Sequence, residues 1–122
     1  MRVLVAALMV ASVIGCGSVT RVEGWAGGPV SAGIEDGQAV VTYHAPRAGW
    51  SLVVDRGRVD GDTALLWLTA KGPSSGDLKT TPVRATWSPD DGGSIHCVQA
   101  NIRVLNAGDK KRNYLPAAVG CE

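Results

Sequence analysis

A small all-β domain is what the sequence predicts. Three observations point to it: short runs rich in Val, Thr, Tyr and Trp, clusters of Gly, Asp and Pro between them, and no stretch after the first residues with helical spacing of apolar side chains. With 122 residues the chain has room for one domain, and its 16 glycines supply turns rather than helices. The expected architecture is a small antiparallel β-sandwich or open barrel, immunoglobulin-like only in the loose sense.

The first element is not part of that domain. Met1-Arg2 sets a positive charge before an apolar run from Val3 to Ile14, broken only by Ser12, and Gly15 precedes Cys16; this is the layout of a secretory signal. As a helix the run would rise about 18 Å at roughly 1.5 Å per residue, short of a bilayer core of about 30 Å.

Val13-Ile14-Gly15-Cys16 resembles the lipobox of bacterial lipoproteins, in its aliphatic, small, small, cysteine pattern. The resemblance implies a signal peptide over residues 1–15, a diacylglyceryl thioether on Cys16, and an acyl chain such as palmitate on its freed amine. Only cysteine offers the nucleophilic thiol, and small residues let the peptidase reach the bond. At about 0.8 kcal/mol per buried CH₂, two or three chains hold a protein on a bilayer where one does not. The membrane is thus the first expected partner and the bacterial cell envelope the expected location. The family's sorting pattern, with Gly17 rather than Asp after the cysteine, implies the outer membrane facing the periplasm where a cell has two membranes. If Cys16 carries lipid, Cys97 and Cys121 remain as an even pair in an oxidising compartment, where a disulfide is expected. Closing a loop of about 25 residues would stabilise the fold by about 3 kcal/mol. The two lie too close in sequence, with no Trp between them, for the inter-sheet bridge of a true immunoglobulin domain.

Residues 16–38 read as the lipidated N-terminus and a flexible tether. Gly24, Gly27, Gly28, Gly33 and Gly37 fall among Pro29, Ser31 and charged residues with no lasting period. Within this stretch Val19-Thr20-Arg21-Val22 can pair as an edge strand, and Trp25 can dock on the domain. The β domain is expected over residues 39–122.

Its first strand is "AVVTYH", residues 39–44, ended by Ala45-Pro46. Residues 50–59 and 63–70 flank Asp60-Gly61-Asp62, a strong hairpin signal because Asp and Gly tolerate positive φ. Leu65, Leu66, Trp67 and Leu68 are apolar in both phases, so this second arm should be central in its sheet. After a turn-rich loop over residues 71–82, "VRATW" (83–87) and "SIHCVQANIRVL" (94–105) are expected to form a second hairpin around residues 88–93. Val98, Ala100, Ile102 and Val104 should line the core, while Cys97 shares the polar phase, which puts its bridge on the outer face or beside a bulge.

Twelve Lys and Arg against eleven Asp and Glu leave a net charge of +1, no field to attract nucleic acid. His44 and His96 lack metal-ligand spacing, and His96 reads as a core or strand-end residue. Asp60, Asp62, Asp90 and Asp91 sit beside Gly, where turns want Asp. No nucleophile elbow or Walker loop is present. No catalytic residue, metal or cofactor is therefore expected. Lys110, Lys111 and Arg112 follow the turn 106–109 and, with Lys79 in the loop 71–82, are the candidate binding residues; each such charge is worth about 1 kcal/mol at an anionic surface.

Gly49-Trp50-Ser51-Leu52-Val53-Val54, the hairpin, Pro73 and Thr81-Pro82-Val83 resemble the small domain of bacterial protease-complex-stabilising proteins. That resemblance implies an accessory or inhibitor of an envelope protease, with loop 71–82 entering a partner's cleft. The leading expectation is an anchored lipoprotein whose β domain binds or supports another envelope protein or glycan without chemistry of its own, a hydrolase being the remaining class.

Overall fold

A computed structural model describes residues 28–106 and 113–122. Among the described residues the strands are β1 (Val30–Glu35), β2 (Gln38–Ala45), β3 (Ser51–Asp60), β4 (Thr63–Gly72), β5 (Thr81–Trp87), β6 (Cys97–Asn106) and β7 (Leu115–Cys121). They form a small β-sandwich of two open sheets, a three-stranded one in the order β1-β2-β5 and a four-stranded one in the order β3-β4-β6-β7. The all-β fold is as the sequence predicts, and the sandwich is the form it takes.

Residues 30–38, expected to be part of a tether, instead belong to the sandwich as β1, its turn and the start of β2. Glu35 pairs with Gln38 across a two-residue turn in which Asp36 and Gly37 have φ of 52° and 78°. Positive φ at both central positions is what a tight type I′ hairpin needs, and Asp followed by Gly provides it at low cost. β1 is also packed closely by a glycine of β7. A Cβ at Gly120 of β7 would collide with the Ala32 carbonyl oxygen of β1, so the two edge strands approach backbone to backbone.

The expected β3–β4 hairpin is present, with Asp60 opposite Thr63. Here Gly61 has φ of 67° while Asp62 does not enter the positive region, a pattern that follows type II′. In β4, Ala64, Leu66, Leu68 and Ala70 are buried against β1, β2 and Ile102, while Leu65, Trp67 and Thr69 are half-buried on the other face. β4 is central, as its two apolar phases require.

The second expected hairpin does not form. β5 pairs antiparallel with β2, and β6 lies in the other sheet, parallel to β4. Residues 88–96 therefore cross between sheets. The physical reason is that β5 pairs with β2 through one edge and ends its sheet, and by crossing over and back the chain returns β6 to the other sheet in the same direction as β4. The sheet is consequently mixed rather than wholly antiparallel. β7, which the sequence pattern did not reveal, pairs with β6.

Cys97 and Cys121 are directly opposite in β6 and β7 and form a disulfide, with Cα atoms 4.0 Å apart. The bridge joins neighbours within one sheet and stands in the outer phase with Gln99, as expected. It does not span the sandwich.

Connectivity gives the molecule two unlike ends. At one, the loop end, the chain enters at Val30, and residues 46–50, 73–80 and the β6–β7 connection join strands. At the other, the turn end, lie the two tight turns, the crossing 88–96 and Glu122. The turn end is closed by backbone bonds: the Asp62 carbonyl accepts from the His96 and Cys97 amides at 2.8 and 3.3 Å, and the Glu122 amide donates to His96 at 2.9 Å.

Candidate functional site

The outer face of the four-stranded sheet carries an array of cations and rings. Arg56 and Arg58 stand two residues apart on β3, so they share a face, and the register sets them opposite Trp67 and Leu65 of β4. The Arg56 guanidinium lies 4.4 Å from the Trp67 ring centre and that of Arg58 5.7 Å, so one indole carries two cations. Among the described residues neither arginine has a carboxylate within ion-pair distance.

Beside them a denser network is fixed by the β3 bulge between Val54 and Arg56. The extra residue is Asp55. Its Oδ2 accepts from the Thr69 hydroxyl at 2.5 Å and the Tyr114 hydroxyl at 2.6 Å, with Arg103 Nη2 at 3.7 Å. Arg103 Nε also donates to Thr69 Oγ1 at 2.7 Å, and its guanidinium sits 4.8 Å from the Tyr114 ring centre. Three strands and the approach to β7 are thereby tied together. The bond to Asp55 is the main reason the Tyr114 hydroxyl holds its proton above the usual tyrosine range, with desolvation adding to it. Nearby, the buried Asn101 amide donates to the Leu66 carbonyl at 3.1 Å.

This face can offer guanidinium N–H groups to carboxylate or phosphate. Stacking on a ring fixes the plane of each arginine beforehand, so less side-chain freedom is lost on contact.

Of the residues expected from sequence, Cys16, Lys110, Lys111 and Arg112 lie outside the described residues. Lys79 is exposed at the loop end, far in sequence from the arginine array, within a loop whose Leu78 is 78% exposed. That loop is held by Arg47 Nη1 donating to the Gly76 carbonyl at 2.7 Å, and by the Thr81 hydroxyl donating to the Lys79 carbonyl at 2.9 Å. His96 is an exposed strand-end residue whose Nδ1 lies 2.6 Å from Glu122 Oε1. The Asp residues beside Gly do occupy turns, and Asp91 Oδ1 accepts from the Gly93 amide at 2.8 Å.

Sequence reasoning missed Arg56, Arg58, Trp67, Arg103 and Tyr114 as a set. The available signal was the i, i+2 spacing of the arginines on a strand paired with one carrying an outward Trp. A comparison of the chain with protein-family models, with curated proteins and with solved structures gives no match.

Proposed function

We propose that this chain is a lipid-anchored bacterial envelope lipoprotein, facing the periplasm from the outer membrane where two membranes exist, and that its β domain is a non-catalytic binding module for another envelope component, protein or glycan. The observation that carries the binding reading is the pair of guanidinium groups on Trp67, exposed and without a carboxylate partner among the described residues. Such a surface recognises acidic groups by paired hydrogen bonds. The lipobox pattern at Val13–Cys16 supports the anchor.

The test is capture of partners from detergent-solubilised membranes by the tagged full chain and by a variant with Arg56→Ser and Arg58→Ser. The wild type should retain an acidic envelope component that the variant loses; equal recovery by both would sink the reading. Mass analysis of the purified chain should find diacylglyceryl on Cys16.

A second reading, an accessory or inhibitor of an envelope protease, is favoured by the exposed Leu78 on a held loop. Recovery of a protease only when residues 71–82 are intact would support it.

A further inference from the structure

We infer that the loop end of the sandwich is a membrane-docking surface: Leu78 enters the interface of an anionic lipid bilayer, Arg47, Lys71 and Lys79 meet its headgroups, and the turn end points away. This rests on the reading of Cys16 as the anchored residue.

Leu78 is the first observation. At 78% exposure it is more exposed than Val53, Val59 or Leu115, the other large apolar side chains described as exposed. It also sits on a loop held in place from below by Arg47 rather than on a sheet face. An apolar tip on an ordered loop is suited to a shallow interfacial insertion.

Charge supplies the second. At the loop end Arg47, Lys71 and Lys79 face only Asp77 among the described residues. The segments 35–38, 60–63, 88–96 and 121–122 at the turn end contain no Lys or Arg and hold Asp36, Asp60, Asp62, Asp90, Asp91 and Glu122, besides Glu35, which pairs with Arg84. Arg58 of β3 lines a cleft with Asp90 and Asp91 and offsets part of that acidity, so the described residues leave an acidic excess at the turn end and a basic one at the loop end. An anionic surface attracts one end and repels the other.

Chain length supplies the third. From Cys16 to Val30 the backbone spans at most about 50 Å, and it joins the sandwich at the loop end. To present the turn end to the bilayer, the connection would have to run back along strands about 33 Å long. The loop end meets the lipid without spending about 33 of those roughly 50 Å on the return, so its contacts are made at the higher effective concentration. A basic rim around an apolar tip favours lipid over the cleft of a protein, for which position near the anchor would be incidental.

The experiment uses the full lipidated chain in vesicles of phosphatidylcholine and phosphatidylglycerol that contain doxyl-labelled lipid. Leu78→Cys and, separately, Ser94→Cys at the turn end carry an environment-sensitive dye. The dye at 78 should be quenched severalfold and shifted to the blue, and the dye at 94 should behave as in water. Omitting phosphatidylglycerol, or introducing Lys71→Gln with Lys79→Gln, should weaken the quenching at 78. Equal quenching at both positions, or none at 78, overturns the inference while leaving the anchor intact. A cross-link from position 78 to a protein in native membranes, with no quenching in protein-free vesicles, assigns the loop to a protein partner and also overturns it.

Failure of the anchor is separable. If mass analysis finds the Cys16 sulfur unmodified, the Cys16→Ser chain is titrated with the same vesicles. Binding that falls about fivefold for each Lys→Gln and about tenfold for Leu78→Ser keeps the docking surface; no binding to anionic vesicles ends it.

Discussion

The two ends of the sandwich are built on opposite principles. The turn end closes with two-residue turns, a cross-strand disulfide and backbone bonds between Asp62, His96, Cys97 and Glu122. The loop end opens into connections that project side chains beyond the sheets, Leu78 and Lys79 among them. The difference teaches where each kind of substitution should register: stability at the turn end and contact with a membrane at the loop end, with the arginine face of β3 lying between them.

The sharpest way to break this contrast is to remove the bridge. Replacing Cys97 and Cys121 by Ala should cost about 3 kcal/mol in the chain-entropy account, read as a lower denaturant midpoint. An unchanged midpoint would mean that the turn end is held by its hydrogen bonds alone. Next to the bridge, Gly120→Ala forces a methyl into the Ala32 carbonyl, and overpacking of that kind costs about 2 kcal/mol or somewhat more. Urea unfolding with an unchanged slope would attribute the loss to the folded state. Gly37→Val, at φ of 78°, should cost about 1–2 kcal/mol; a thermal scan that shows no change would deny that turn its role in setting the β1–β2 register.

The same contrast explains how much of the molecule was legible beforehand. The β3–β4 hairpin and the buried phase of β4 could be read because their contacts are local and their period is two. Asp36-Gly37 was equally readable as a turn, but the surrounding glycines gave it the composition of a linker, and the need for Gly120 to meet β1 appears only once the sheets are stacked. Nothing local in residues 83–105 distinguishes a hairpin from a crossing between sheets, because the partner of β5 is β2, far back in the chain. The arginine array depends likewise on the β3–β4–β6 register. As for the ends, a sum of charges over the chain cancels the asymmetry that the strand order creates.

A smaller effect comes from the core at the loop end. Tyr43 pairs with Val30 there, and burial pushes its hydroxyl pKa above the usual 10, against a backbone hydrogen bond at Gly28 that lowers it. A phenol that is harder to ionise when folded contributes stability that is complete below pH 10 and is lost as pH rises through the folded value. Stability should therefore decline above pH 10, and less steeply in Tyr43→Phe. Tyr114, raised for a different reason, supplies a remaining slope. An identical pH profile in Tyr43→Phe would show that the Tyr43 phenol contributes nothing to the alkaline loss, leaving the burial of Val30, Tyr43 and Ala45 as the mark of the core at that end.

The smallest expected change in stability is the most informative about the loop. Leu78 projects 78% of its surface into solvent, so Leu78→Ser removes little that folding buried and should stay within about 0.5 kcal/mol of the wild type. The loop's own bonds, from Arg47 to Gly76 and from Thr81 to Lys79, use backbone acceptors that the substitution leaves in place. A near-zero change in denaturant midpoint, measured beside a clear loss of membrane contact, would separate the two roles on one residue. A cost above about 1 kcal/mol would show that Leu78 is buried in the folded protein, and the loop end would then have to be counted with the turn end as part of the packing.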